Sequence, residues 1–246
     1  MEGKSILFTG SKGGCGCSFL SYSVAAYYAL KKEKNILLMD LSLGSFASRI
    51  IFGLEEKQVK DLGDVPRDIK DIDITLLKNL VINTEFSLNI ILPPVDHNRY
   101  ADLPDIGRFL KELEKYFQLI IIDMPIFCLD FTGRELLEQQ DKISVVSSPS
   151  LMSVKNLNGI LSGLSGLEAE LPIDLVINKY NLKPSLSPAL INSYINYPIK
   201  AFIPYDRDIE YLFLNQGPTH IFKYNLRITK SIASFADSIY EELDHV

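Results

Sequence analysis

Seven apolar runs that do not alternate with polar residues constrain this chain more than any other feature. They are SILFTG (5–10), NILLMD (35–40), LNIILPP (88–94), QLIIIDMP (118–125), KISVVSSP (142–149), IDLVINK (173–179) and IKAFIP (199–204). A strand with one wet face alternates, whereas a strand buried on both faces reads as a continuous apolar run. Segments 18–32, 102–116, 151–168 and 225–243 lie between or after these runs and read as helices. In the last of them Ile228, Ile232, Phe235 and Ile239 recur at spacings of four, three and four, which makes one buried stripe. Strands alternating with helices require right-handed crossovers, so the predicted fold is α/β: a single doubly wound, mostly parallel sheet flanked by helices. Residues 54–87 are charged and weakly patterned, and are expected to form short helices or loops capping a sheet edge. Without repeats, low-complexity tracts or Ser/Gly linkers, residues 1–246 read as one domain.

Charge and cysteine content narrow the function classes. A net charge of −6 argues against a general nucleic-acid-binding surface. No stretch holds the roughly 18 apolar residues that a membrane span needs, and MEGKSILF runs directly into a strand rather than through a secretory leader. Three cysteines suit a reducing cytoplasm better than a disulfide framework, so a cytoplasmic location is expected. Cys15, Cys17 and Cys128 lack a fourth Cys or a well-spaced His, which sets a structural metal site aside. The histidines at 97, 220 and 244 are scattered and read as surface or loop residues, and Tyr22, Tyr27 and Tyr28 as helix packing.

The chemistry concentrates after the first run, in GSKGGCGCS (10–18), a Gly-rich turn leading into a helix. Glycines let successive backbone N–H groups converge on phosphate oxygens, and the helix N-terminus adds partial positive charge. Gly13, Gly14, Cys15, Gly16 and Cys17 would form this cradle, and Ser18 would offer its hydroxyl to Mg²⁺. Asp40 and Asp123 each end a buried run, where parallel sheets place their ligand sites. A carboxylate there is costly unless it is solvated or faces a cation.

SKGGCGCS resembles the deviant Walker A motif of the MinD/ParA family, K-G-G-x-G-K-[ST], with Lys12 at its signature lysine. ILLMDLSLG is similar to the family's switch I strand, and LIIIDMP to its Walker B and switch II segment, with Asp123 and Pro125 matching. VINKY resembles the strand end whose Asn reads adenine, and IPYDRDIEYLFLNQGPT the segment near the base. The resemblance spans residues 5 to 220 and implies a nucleotide site made of Lys12 through Ser18, Asn178, Lys179, Pro204, Tyr205 and Asp206. ATP and Mg²⁺ are the implied cofactors, with Ser18, Asp40 and Asp123 at the metal. Lys12, Asp40 and Asp123 are implied to act in any catalysis, Lys12 by crossing a homodimer interface to the partner's nucleotide. Within the family, SSPSLMSVKNLNGILSGL is most similar to the TadZ/CpaE group of pilus-assembly factors. That likeness implies protein partners in a pilus or polar assembly. The acidic C-terminal helix lacks the basic amphipathic pattern that MinD lays on membranes, so no direct membrane insertion is expected.

Two positions depart from the family pattern. Cys17 stands where a P-loop lysine reaches the β- and γ-phosphates, and Ser42 where the family carries a water-positioning Asp. Losing one charged hydrogen bond of about 1.5–3 kcal/mol weakens binding without abolishing it. Losing the carboxylate costs about 10²–10⁴ in rate. The expected function is therefore a dimeric, ATP-binding localisation or assembly factor with little hydrolysis. The alternatives are an active ATPase regulating flagellar number or chromosome or plasmid position, and an interaction module with an empty loop.

Overall fold

A computed structural model describes residues 3–31, 35–43, 45–55, 58–67, 73–84, 88–96, 98–99, 103–125, 136–166, 171–181, 183 and 185–244. Cys128 and His97 lie outside the described residues, as does the stretch that follows Pro125.

Every apolar run forms a strand. The strands are β1 (Lys4–Gly10), β2 (Ile36–Asp40), β3 (Ile82–Asn83), β4 (Leu88–Ile91), β5 (Leu119–Asp123), β6 (Lys142–Ser147), β7 (Ile173–Tyr180) and β8 (Ile199–Pro204). They form one sheet in the order β3-β4-β2-β5-β1-β6-β7-β8. All pairings are parallel except β3 with β4. Successive side chains of each strand enter different layers, which is why the runs do not alternate. In β1, Leu7 enters one apolar cluster, while Ile6 and Phe8 enter the other. In β5, Ile120 and Ile122 face one way and Leu119 and Ile121 the other.

The helices are α1 (Cys17–Lys31), α2 (Ala47–Ile51), α3 (Ile74–Leu80), α4 (Ile106–Leu113), α5 (Leu151–Ser165), α6 (Pro188–Tyr194), α7 (Arg207–Gln216) and α8 (Arg227–Asp244). Helices α1, α7 and α8 cover one face of the sheet, and α3, α4, α5 and α6 the other. Local sequence starts several of them. Asp73, Asp105, Ser150, Ser187 and Asp206 each accept backbone N–H groups of the first turn, at α3, α4, α5, α6 and α7. The expected stripe on the last helix is buried: Ile228, Ile232, Phe235 and Ile239 are at most 3% exposed. Helix α4 is shorter than the 102–116 expected, because Asp105 caps it at 106.

Residues 54–87 hold a 3-10 turn (Leu62–Asp64), α3 and the edge strand β3. The charged stretch was expected to cap the sheet edge, but only three-dimensional pairing makes Ile82–Asn83 a strand. The buried Arg49 guanidinium bonds Asp61 at 2.9 Å, and Arg99 reaches Asp61 and Asp64, tying this edge to α2. At the opposite end of the sheet, the buried Lys142 ammonium pairs with Asp174 and Glu242, fastening α8 beneath β6 and β7.

Among the described residues no helix is long and apolar enough to cross a membrane, and no group of three or more His, Cys, Asp or Glu side chains could hold a metal by itself.

Candidate functional site

β5 inserts between β1 and β2 in the sheet, so two strands distant in sequence end side by side. Asp40 and Asp123 are direct register partners, and Phe8, near the end of β1, pairs with Asp123. The loop 11–16 leaves β1 at this point and turns into α1.

The loop is anchored on three sides. Ser11 N donates to Val146 O (2.8 Å) and Ser11 Oγ to Ser147 Oγ (3.0 Å). Asn156 Nδ2, from α5, donates to Ser11 O at 3.2 Å. Asn178 Nδ2, from the end of β7, donates to Cys15 O (3.1 Å) and Gly16 O (3.3 Å). Gly14 and Gly16 take φ of +78° and +87°, where side-chain-bearing residues are strained. A Cβ on Gly16 would also lie 2.3 Å from Asn178 Nδ2, so glycine is required there on two counts. Gly13 and Gly14 are exposed, leaving the backbone of the loop open to a ligand.

Beneath the loop the acidic residues form a compact buried group. Asp40 accepts Tyr22 O–H at Oδ2 (2.7 Å) and Ser42 N–H at Oδ1 (2.8 Å). Asp123 accepts the Cys17 thiol at Oδ1 (3.5 Å) and Ser42 Oγ–H at Oδ2 (3.3 Å). Burial, followed by repulsion from Asp40, raises the Asp123 carboxyl to about 7, while Ser18 and Cys17 donating toward it act in the opposite direction. Burial, followed by the charge of Asp123, pushes the Cys17 thiol well up, and burial also raises Cys15, so both remain thiols near neutral pH. Cys17 is thus turned inward, a weak donor to a carboxylate rather than a cation at the loop mouth.

Two adjoining cavities meet over the loop. One, of about 320 Å³, is lined by the loop from Lys12 to Ser18 together with Asp123 and Pro125. The other, of about 180 Å³, brings together Asn178, Lys179, Pro204, Tyr205 and Asp206, with Phe213 of α7 as part of its apolar wall. They share Gly14, Gly16 and Phe19. All five residues expected in the nucleotide site beyond the loop therefore converge on one cavity beside it, although the ends of β7 and β8 supply them from far along the chain. Asp206 also caps α7, its Oδ1 accepting from Asp208 N and Ile209 N. Asn178 also supports the loop, holding two of its carbonyls.

Lys12 sits half-buried at the rim, its ammonium 3.4 Å from Gly13 O. Tyr22 is the residue whose role sequence reasoning understated. It packs against Phe52 and Phe213, but its hydroxyl also holds Asp40. The available signal was its spacing, four residues beyond Ser18 and hence on the same helix face. Tyr27 and Tyr28 do join helices, donating to Asp237 Oδ2 and Ala236 O of α8.

A Gly-rich strand-to-helix loop over a buried Asp, at the carboxyl end of a parallel sheet, defines a P-loop nucleotide-binding fold. Residues 6–218 match the CobQ/CobB/MinD/ParA nucleotide binding domain, and the chain belongs to that family. It is similar to an uncharacterized ATP-binding protein of Methanocaldococcus jannaschii, 26% identical over 96% of this chain and 87% of that one. Among solved structures it superimposes on a ParA family ATPase from Chlorobium tepidum with a TM-score of 0.83, at 22% identity, over 96% of this chain and 98% of that chain. It also matches the septum site-determining protein MinD of Pyrococcus horikoshii, solved with Mg-ADP, with a TM-score of 0.75, at 19% identity, over 97% and 96% of the two chains.

Proposed function

We propose that this protein binds ATP with Mg²⁺ across the two joined cavities and forms a nucleotide-bridged homodimer that turns over slowly or not at all. The observation that carries the reading is the loop itself. Two glycines in left-handed conformation hold open a backbone cradle, while the two positions tied to turnover carry Cys17 and Ser42 instead of a lysine and an acid. The donor set suits a hard cation: the Ser18 hydroxyl and the Asp123 carboxylate line the same loop cavity, and Asp40 is the register partner of Asp123. Bound there, Mg²⁺ would neutralise phosphate charge, held by Ser18 and Asp123, with Asp40 in support. Asn178, Pro204, Tyr205 and Asp206 would surround the base and ribose, with Lys179 in the same cavity. Ser42 orders the two carboxylates, but a hydroxyl cannot take up a proton near neutral pH.

Lys12 at the rim supports a bridging role across a dimer. Leu151 and Met152 at the start of α5 expose apolar surface, and α5 is tied to the loop through Asn156. The M. jannaschii relative is by name an ATP-binding protein, and the P. horikoshii structure holds Mg-ADP. In the cell the dimer would be a cytoplasmic placement or assembly factor of the TadZ/CpaE type, serving a pilus or polar structure through protein partners.

Denaturing the purified protein and assaying released adenine nucleotide, alongside calorimetric titration with ATP and Mg²⁺, tests binding. No binding at millimolar ATP refutes it. Light scattering with ATP then compares wild type with Lys12→Ala, and an unchanged dimer fraction refutes the bridge. Phosphate release well above that of Ser42→Ala would favour an active ATPase instead.

A further inference from the structure

Cys17 removes a cation from the loop, and its inward-facing thiol leaves that charge unreplaced from α1. The surroundings offer a substitute from a different strand. Lys179 follows Asn178 at the end of β7, and its backbone takes φ of +56°, a conformation uncommon for a lysine. Left-handed residues in ordered structure persist where the surroundings hold them, often at ligand sites. Here Asn178 is pinned to the loop carbonyls of Cys15 and Gly16, so the turn at Lys179 is set by the loop it touches. The turn brings the Lys179 side chain over the loop, with Cε only 3.4 Å from where a Cβ on Gly16 would lie. Lys179 therefore lines the smaller cavity and reaches over Gly16, a glycine common to both cavities. Among the described residues, it and Lys12 are the lysines lining these cavities, Lys179 in the smaller one and Lys12 in the loop cavity.

We infer that Lys179 is a phosphate-binding residue that replaces the missing loop lysine, pairing with the phosphate chain of a nucleoside diphosphate or triphosphate at its nucleoside end. The inference rests on the nucleotide-binding reading above. Its position over Gly16 predicts a contact made equally with ADP and ATP, because both carry the α- and β-phosphates. Lys12, out at the rim, has no such reason to treat them alike.

The test is calorimetric titration of wild type, Lys179→Asn, Lys179→Arg and the double variant Cys17→Lys/Lys179→Asn with ATP and with ADP. Asn tolerates positive φ, so the substitution removes the charge without adding backbone strain. A charged hydrogen bond lost from the phosphate chain corresponds to about a 10- to 100-fold weaker Kd. Lys179→Asn is expected to weaken both nucleotides by that factor, Lys179→Arg to stay within about threefold of wild type, and the double variant to recover affinity. Melting without nucleotide checks that every variant folds, and Lys179→Arg carries the comparison if Lys179→Asn melts early: a Kd for either nucleotide more than tenfold weaker than wild type would then overturn the inference. Failure of wild type to bind either nucleotide would refute the functional reading itself. Wild-type binding with an unchanged Kd in Lys179→Asn, or a loss confined to ATP, would overturn the role of Lys179 alone.

Discussion

Replacing Asp123 by Asn should make the protein more stable at pH 8, although it removes a central residue of the site. Asp123 is 1% exposed, lies beside Asp40 across adjacent strands, and is raised from 3.8 to about 7 by burial and then by Asp40. Because the folded-state value exceeds the unfolded one, the folded protein holds a proton that the unfolded chain releases. The resulting stability is fully present below pH 4 and is lost as pH rises through about 7. At about 1.4 kcal/mol per pH unit, the loss is at most about 4 kcal/mol by pH 8. Asparagine has the shape of the protonated acid and carries no charge at any of these pH values, and Ser42 Oγ can turn to accept from its amide. We expect Asp123→Asn to exceed wild type by about 1–3 kcal/mol at pH 8 without divalent cation, or about 2–12 °C in Tm for a chain of this size. At pH 5 the gap should close. Differential scanning calorimetry at both pH values, with chelator present, measures it. Adding Mg²⁺ and ATP should then stabilise wild type and leave the variant behind. A variant that melts at or below wild type at pH 8, or a gap equal at pH 5 and pH 8, would refute the claim that Asp123 is a destabilising buried charge.

Two further substitutions probe the frame of the site. Tyr22→Phe keeps the ring packing on Phe52 and Phe213 but deprives Asp40 of its 2.7 Å donor. It should cost about 1.5–3 kcal/mol in urea unfolding at pH 7 with unchanged slope, and a cost below 0.5 kcal/mol would show that the hydroxyl does not matter to Asp40. Gly16→Ala adds a Cβ at positive φ and 2.3 Å from Asn178 Nδ2. It should lower Tm without ligand and remove the Tm rise produced by ATP, which thermal-shift titration would detect.

Much of the architecture was legible in residue order because burial on both sheet faces leaves a direct trace. Each of the seven apolar runs became a strand, and the α8 stripe at Ile228, Ile232, Phe235 and Ile239 faces the core as its spacing required. The loop was equally legible, since only glycines at 14 and 16 tolerate the backbone it needs. β3 was not, because two residues become a strand only by pairing with β4. Nor was the second role of Tyr22, because an aromatic on a buried helix face carries the same sequence signal whether or not its hydroxyl has work to do.

Residue order thus determined the layered α/β sheet, the phosphate loop and the identity of its departures, Cys17 and Ser42. Tertiary structure alone decided which side chains meet. The insertion of β5 between β1 and β2 sets Asp40 against Asp123 and gives their shared burial its electrostatic cost. The end of β7 likewise brings Asn178 and Lys179 onto a loop more than 160 residues earlier in the chain. Periodicity records which way a side chain faces along its own strand. The neighbours it meets there depend on strand order, and strand order is settled by crossovers that local sequence does not encode.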